Sequence, residues 1–160
     1  MEGSKFDEAE FFRSIAASGA RALLIGRRAL VTLGIPVVTA DYGFWLPPED
    51  AERFNAAAAR FDLRPTRSPA EARGHGRYTE SDERVDVLLA GSVPAIDGVV
   101  VPFDDVWSRR VTLEAAPDVA VSVPCIDDLI LTKRFGGRPK DAEDIRLLEA
   151  LRRSRGEGPS

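Results

Sequence analysis

The chain has 160 residues, of which 44% are hydrophobic and 30% charged, and its formal net charge is −4 at pH 7. This composition is typical of a globular domain, and the acidic balance excludes a protein that coats nucleic acid generally, while leaving room for a local basic groove. No apolar run approaches the ~20 residues that a membrane helix needs, so we expect no membrane association. The single cysteine cannot form an internal disulfide, and we expect a cytoplasmic protein.

The first half of the chain alternates helical and extended patterns. Near the start, Asp7 can cap a helix whose first turn is acidic. The short, wholly apolar run over residues 22–25 is typical of a buried strand. The predicted elements are a helix from Asp7 to Gly19, a strand over residues 22–25, a helix over 27–33, a strand over 42–46 and a helix from Pro48 to Phe61.

The second half begins with the least regular segment. Residues 64–83 are predicted to be mostly loop with one short helix near residues 68–73, because prolines and glycines interrupt them. The later predicted elements are a strand over residues 84–89, a hairpin turning at Asp97-Gly98, a helical turn over 103–108, a hairpin of strands 111–113 and 119–123, a helix over 127–135 and a last helix from Pro139. This order predicts one α/β (α+β) domain over residues 7–153, with flexible ends at residues 1–6 and 154–160.

Charged residues gather at three places. Gly26, Arg27 and Arg28 follow a buried strand and open a helix, where free N–H groups favour a phosphate, although any strand-to-helix turn favours glycine. Asp41 precedes the second strand, and Asp86 lies inside an apolar strand, where a carboxylate is costly unless it is paired or binds a metal. A solvent-facing Asp86 on a half-exposed strand is the alternative.

The third place is a turn between the last two predicted helices. Lys133, Arg134, Arg138 and Lys140 concentrate positive charge there in an acidic chain. Such a cluster can bind a triphosphate or an RNA backbone. It can equally be a solvated corner that neighbouring carboxylates neutralise.

Two residues of reactive types have simpler interpretations. His75 is the only histidine, which excludes a site built from several histidines. Cys125 would need a nearby base to act as a nucleophile, so we interpret it as a small packing residue.

Taken in order, these segments resemble the nucleotidyltransferase superfamily, in the branch of minimal nucleotidyltransferases and the toxins of AbiE-like toxin–antitoxin pairs. The family pattern is a glycine turn after a strand, a Thr-x-Asp-x-Asp strand opening, an Asp inside a later apolar strand, and Asp-Leu-x-x-x-Lys followed by Arg-Pro-Lys-Asp and a further Asp. The matching segments are residues 25–27, Thr39 to Gly43, residues 84–87, Asp128-Leu129 with Lys133, and Arg138 to Asp141 with Asp144.

The resemblance implies a single-domain, mixed β-sheet flanked by helices, with Mg²⁺ held by Asp41 and Asp86. Together with Lys133 these carboxylates would be catalytic. The residues implied to bind a nucleoside triphosphate are Gly26, Arg27, Arg28, Lys133, Arg138 and Lys140. The implied activity is nucleotidyl transfer to an RNA, protein or small-molecule acceptor, and a toxin of this branch would have an antitoxin partner.

The chain departs from the family pattern at two positions. Gly43 stands where the second aspartate of the Asp-x-Asp pair is expected, and Arg27 stands where the turn has a second glycine or a serine. Two carboxylates can still hold one Mg²⁺. The sequence therefore leaves two functions open: a Mg²⁺-dependent nucleotidyltransferase, and an inactive protein of the same fold that binds nucleotide, RNA or a partner protein. It does not distinguish a natural Gly43 from an engineered one.

Overall fold

The computed structural model describes residues 7–80, 85–94, 100–136 and 139–156. Its elements are α1 Glu8–Ser18, β1 Leu23–Ile25, α2 Gly26–Thr32, β2 Tyr42–Leu46, a 3₁₀ turn Pro48–Asp50, α3 Ala51–Ala59, α4 Pro69–His75, β3 Arg77–Glu80, β4 Val85–Leu89, β5 Ser92–Pro94, β6 Val100–Pro102, α5 Phe103–Ser108, β7 Val111–Ala116, β8 Val119–Val123, α6 Ile126–Gly136 and α7 Pro139–Ser154. Within these ranges, no helix has the length and apolarity needed to cross a membrane.

A mixed four-stranded sheet organises the domain. Its strand order is β1-β2-β4-β3, with β2 and β4 parallel and both outer strands antiparallel to their neighbours. The pairs β5-β6 and β7-β8 form two antiparallel hairpins beside it. The predicted fold class, a mixed sheet flanked by helices in a single domain, is confirmed.

The first face of the sheet is mostly apolar and packs against helices α1 and α3. The ring of Phe44 lies 6.0 Å from Phe11 of α1 and 5.2 Å from Phe54 of α3, and all three side chains are buried. Val87 of β4 belongs to the same cluster. Burying each such side chain contributes roughly 1.5–3 kcal/mol, so this face supplies most of the core.

The second face of the sheet differs between its two ends. At one end, which we call the apolar end, Leu23, Trp45 and Leu88 pack against Phe103 and Val106 of α5. At the other end, which we call the polar end, strands β2 and β4 present Gly43 and Asp86, beside Asp41 in the segment before β2. Since α5 covers only the apolar end, the polar end is left to form a cleft.

The ends of α1 follow the local signals of the sequence. The carboxylate of Asp7 accepts a hydrogen bond from the backbone N–H of Glu10 at 3.1 Å, which caps the helix. Gly19 ends the helix with a left-handed φ of 81°, a conformation that favours glycine. The predicted boundaries of this helix are confirmed.

The prediction for residues 64–83 was wrong in one respect. The short helix is present as α4, but residues 77–80 form strand β3 rather than loop. The strand is stabilised by pairing with β4 and by Tyr78, which is buried and donates a hydrogen bond to Asn55 Oδ1 at 2.8 Å. Both stabilising contacts are tertiary, so the local pattern does not reveal them.

Several sequence predictions fall at or beyond the limits of the described residues. The turn at Asp97-Gly98 lies outside them, although the flanking strands β5 and β6 pair as the hairpin requires. Residues 1–6 and 157–160, which belong to the predicted flexible ends, also lie outside the described residues. At the C-terminal side, Ser154 still belongs to α7.

Candidate functional site

The polar end of the second face opens into a cleft of ≈ 210 Å³. Its walls come from the β1–α2 turn, the segment that leads into β2, strand β4 and helix α6. The lining residues are Gly26, Arg27, Thr39, Asp41, Tyr42, Gly43, Asp86 and Lys133. Both predicted metal ligands and all predicted catalytic residues therefore lie in one cleft.

Strand geometry explains why two aspartates share the cleft. Side chains alternate between the faces of a strand, so Asp41 and Gly43 lie on one face while Phe44 lies on the other. The register pairs Gly43 with Asp86 across the parallel strands β2 and β4. Asp86 is half-buried and lines the cleft.

Gly43 occupies the point in the sheet between the two carboxylates and the β1–α2 turn. Its backbone is not left-handed, so a side chain there would cause no backbone strain. A Cβ at this position would lie 3.3 Å from the carbonyl oxygen of Ile25, which requires a shift of a few tenths of an ångström. An aspartate at position 43 would therefore require the backbone of Ile25 to move.

Lys133 is a buried cation between two buried carboxylates. Its side chain is about 6% exposed, and its Nζ lies 2.7 Å from Asp144 Oδ2 and 3.7 Å from Asp141 Oδ1. Helix α6 carries Lys133, and helix α7, which packs against α6, carries both carboxylates. A buried ammonium is costly unless it is paired, so the two carboxylates on α7 hold Lys133 at the cleft.

Arg27, in the first turn of α2, contacts the carboxylate of Asp144 as well. Its Nη2 lies 3.2 Å from Asp144 Oδ1, and its Nε donates to Asp144 Oδ2 over 3.4 Å. Asp144 thus bridges Arg27 and Lys133, the two cations of the cleft. The sequence pattern indicated Asp144 as one of the carboxylates that could neutralise the cluster containing Lys133, but it did not predict the contact with Arg27.

Arg28 lies beside the cleft and has other partners. Its Nη2 donates to the Thr39 carbonyl at 3.1 Å, its Nε donates to the Asp41 carbonyl at 3.4 Å, and its guanidinium carbon lies 4.2 Å from the centre of the Tyr42 ring. Its predicted role as a nucleotide ligand would require it to leave these contacts.

The two remaining predicted nucleotide-binding residues are not brought into the cleft by what the structure describes. Arg138 lies outside the described residues, and Lys140 is placed in the first turn of α7 without a described side chain. Their roles stay predictions. Arg134, from the same basic turn, is exposed.

The start of α6, and with it Lys133, is fixed by a buried carboxylate. Asp128 is 3% exposed and accepts hydrogen bonds from Arg109 Nε at 3.0 Å and Nη2 at 3.1 Å. The thiol of Cys125 donates to Asp128 Oδ2 at 3.2 Å. The hydrogen bond with Asp128 raises the pKa of Arg109, and burial raises the pKa of the Cys125 thiol. A raised thiol pKa lowers the fraction of thiolate, the reactive form, which agrees with a packing role for Cys125.

The oxygen donors of the cleft suit a hard cation. In the described part of the chain, no group of three or more histidine, cysteine, aspartate or glutamate side chains is arranged to hold a metal ion. Asp41 and Asp86 are two carboxylates, and Mg²⁺ is often held in proteins by one or two carboxylates with water and substrate oxygens completing its shell. These residues fit one Mg²⁺, and Gly43 provides no ligand for a second.

The fold, rather than the sequence, connects the chain to known proteins. The sequence matches no protein-family model and no curated protein. The fold is similar to the 1.87 Å crystal structure of a Thermotoga maritima protein described as a "putative nucleotidyltransferase", with a TM-score of 0.56 over 85% of this chain and 86% of that chain. The identity is 14%, so the similarity concerns the fold alone. The chain has a nucleotidyltransferase-like fold.

Proposed function

We propose that this protein is a Mg²⁺-dependent nucleotidyltransferase, which transfers a nucleotidyl group from a nucleoside triphosphate to an acceptor. The observation that carries the proposal is the meeting of Asp41, Asp86 and Lys133 in one cleft, although they come from three distant parts of the chain. Phosphoryl-type transfer depends mostly on positioning and on stabilisation of charge, and this cleft combines oxygen ligands for a metal with cations for phosphate.

The proposed reaction assigns a task to each charged residue. An acceptor oxygen forms a bond to the α-phosphorus, the bond from that phosphorus to the pyrophosphate oxygen breaks, and the acceptor proton is released. Asp41 and Asp86 would bind Mg²⁺, which when bound supplies positive charge to the phosphate oxygens. Lys133 and Arg27 would attract the leaving pyrophosphate, and Asp144 holds both of them at the cleft.

A specific observation favours a second function, in which the protein binds nucleotide, RNA or a partner protein without catalysis. Gly43 pairs with Asp86 across β2 and β4 and has no carboxylate. The cleft therefore offers two carboxylates to a metal rather than three. Two-metal transfer uses ions that clamp both the attacking and the leaving oxygen. Loss of the second ion would leave binding intact while lowering the rate.

The finer parts of the proposal concern the acceptor and the biological role. We propose an RNA, a protein side chain or a small molecule as acceptor, and a role in the cytoplasm as the toxin of an AbiE-like pair, with an antitoxin as partner. These assignments rest on the resemblance of the motifs around Asp41, Asp86 and Arg138.

A transfer assay tests the proposed function directly. The protein is incubated with labelled nucleoside triphosphates, Mg²⁺, total RNA and cell protein, beside the variants Gly43→Asp and Asp41→Asn. Labelling by the unchanged protein, lost in Asp41→Asn, supports an active enzyme and identifies the acceptor class. Labelling by Gly43→Asp alone supports an inactivated enzyme.

The matched control is Asp105→Asn, which removes an exposed carboxylate on α5, away from the cleft. It should behave as the unchanged protein does. If neither the unchanged protein nor any variant labels an acceptor while Mg²⁺-dependent nucleotide binding persists, the result supports the second function, binding without catalysis. If Asp41→Asn leaves Mg²⁺ affinity unchanged, the metal site at Asp41 is wrong.

A further inference from the structure

We propose that Arg28 is a positioning residue, which fixes the metal-binding carboxylate of Asp41 through the backbone of the segment before β2, and that Glu8 holds Arg28 in place. The inference rests on the proposed function, because it concerns the metal site of that cleft. It replaces the sequence-based prediction that Arg28 binds nucleotide.

The segment before β2 needs such a support because it has little regular structure. Helix α2 ends at Thr32, β2 begins at Tyr42, and the described residues between them form neither helix nor strand. The side chain of Asp41 is exposed, and Val38 nearby is 88% exposed. Packing alone therefore does not determine the direction of the Asp41 carboxylate.

The planar guanidinium of Arg28 binds this segment at two points. It donates to the Thr39 carbonyl at 3.1 Å and to the Asp41 carbonyl at 3.4 Å. Within the segment, the Asp41 N–H donates to Thr39 Oγ1 at 3.2 Å. These contacts constrain both peptide units around the residue that carries the carboxylate. A lysine could not reproduce them, because a single ammonium lacks the fixed fork of donors.

A second set of contacts fixes Arg28 itself. Its guanidinium lies over the Tyr42 ring at 4.2 Å, and its Nη1 lies 3.5 Å from Glu8 Oε1. The same Glu8 oxygen accepts a hydrogen bond from the Tyr42 hydroxyl at 2.9 Å. The first turn of α1 is thereby connected to the segment that carries Asp41.

The same contacts argue against a phosphate ligand. Arg28 is not among the described residues that line the cleft, and a phosphate bound to it would have to displace contacts to four different groups. Arg27, by contrast, lines the cleft. The two adjacent arginines therefore have different tasks: Arg27 faces the ligand, and Arg28 supports the metal ligand.

Manganese binding, followed by the electron paramagnetic resonance of free Mn²⁺, tests the inference without any need for catalysis. Arg28→Lys and Arg28→Ala are compared with the unchanged full-length protein, and thermal unfolding is recorded for each. Partners that orient a metal ligand typically change affinity by about 10–100-fold when they are removed, and we expect Mn²⁺ affinity to fall by about 10-fold or more in both variants. Glu8→Gln should give a smaller loss in the same direction.

The matched control is Arg21→Lys. Arg21 also bridges several groups, Glu49, Asp50 and Asp104, but it lies away from the cleft, so this variant should lose thermal stability and keep its Mn²⁺ affinity. If Arg28→Lys melts lower but binds Mn²⁺ as tightly as the unchanged protein, Arg28 has only a structural role and the inference is overturned. If the unchanged protein binds no Mn²⁺, the proposed metal site itself fails, and the inference fails with it.

Discussion

The two ends of the second sheet face are built by the same strands and do opposite things. At the apolar end, Trp45 is fully buried, its ring lies 5.2 Å from Phe103, and its Nε1 donates to the Ala90 carbonyl at 2.8 Å. At the polar end, a few residues along the same strands, Asp41 and Asp86 border an open cleft. The difference teaches that α5 divides the face into a part that is buried and stabilises the fold and a part that stays open as a cleft.

The largest expected effect lies at the apolar end. Trp45→Ala should lower the free energy of unfolding by about 3–5 kcal/mol, because it leaves a large cavity under α5. Urea denaturation measures this loss. Asp41→Asn, at the polar end, should change stability far less in the absence of metal; equal losses for the two variants would contradict the division of the face.

Asp144 contacts the cations of the polar end but is itself fully buried. Its removal therefore tests whether a buried charge at the polar end also contributes to stability. Asp144→Ala should cost about 3 kcal/mol, because Lys133 loses its nearest partner and remains buried. The double variant Lys133→Met with Asp144→Leu should recover part of this loss in urea denaturation, since buried Asp141 then loses its contact with Lys133. If the double variant is as unstable as the single one, the cost comes from packing and not from the buried charge.

Gly43→Asp tests whether the polar end tolerates a third carboxylate. Without metal, it should be destabilised by about 1 kcal/mol, since like charges on paired strands repel and Ile25 must shift slightly. With Mg²⁺, its melting temperature should rise more than that of the unchanged protein, because binding to the folded state adds stability. Gly43→Asn is the matched control, with nearly the same shape and no charge, and it should lack the added response to Mg²⁺.

The smallest effect is expected at Cys125, on the structural side of the comparison. Burial raises the pKa of this thiol, so less thiolate is present near neutral pH than for an exposed cysteine. A thiol reagent should label the folded protein at pH 7 more slowly than the urea-unfolded protein, and the rate should increase as the pH rises. Because the pKa of this thiol is higher in the folded state than in the unfolded state, the protonated thiol contributes to the free energy of unfolding. This contribution is fully present below the unfolded pKa and is lost as the pH rises through the folded pKa. Fast labelling of the folded protein at pH 7 would contradict the packing role.

Much of the fold could be predicted because its signals are local. The cap at Asp7, the glycine that ends α1 and the alternation of Val85, Val87 and Leu89 each predict the observed element. The same alternation places Asp86 on the face opposite Val85, Val87 and Leu89, but only the resemblance of the motifs predicts that Asp41 and Asp86 share a site. Strand β3 escaped prediction because its stabilising contacts, the pairing with β4 and the hydrogen bond from Tyr78 to Asn55, are tertiary.

The sequence predicted which charged residues meet in the cleft, and it did not predict the contacts that support them. Asp41, Asp86 and Lys133 follow motif spacing, and motif spacing is visible in a sequence. The bridge from Asp144 to Arg27 is not, because it joins residues 117 positions apart. Likewise, nothing in the sequence separates Arg27 from Arg28; only the turn of α2 directs one to the cleft and the other to the Asp41 backbone.

That long bridge has a consequence for how the protein is made. Chains are synthesised from the N-terminus and begin to fold as they emerge. Arg27 and both cleft aspartates appear early, while the carboxylate that secures Arg27 and Lys133 arrives only with α7. A nascent chain that still lacks this helix would carry an incomplete cleft, so ligand binding would begin only when synthesis of the domain is nearly finished.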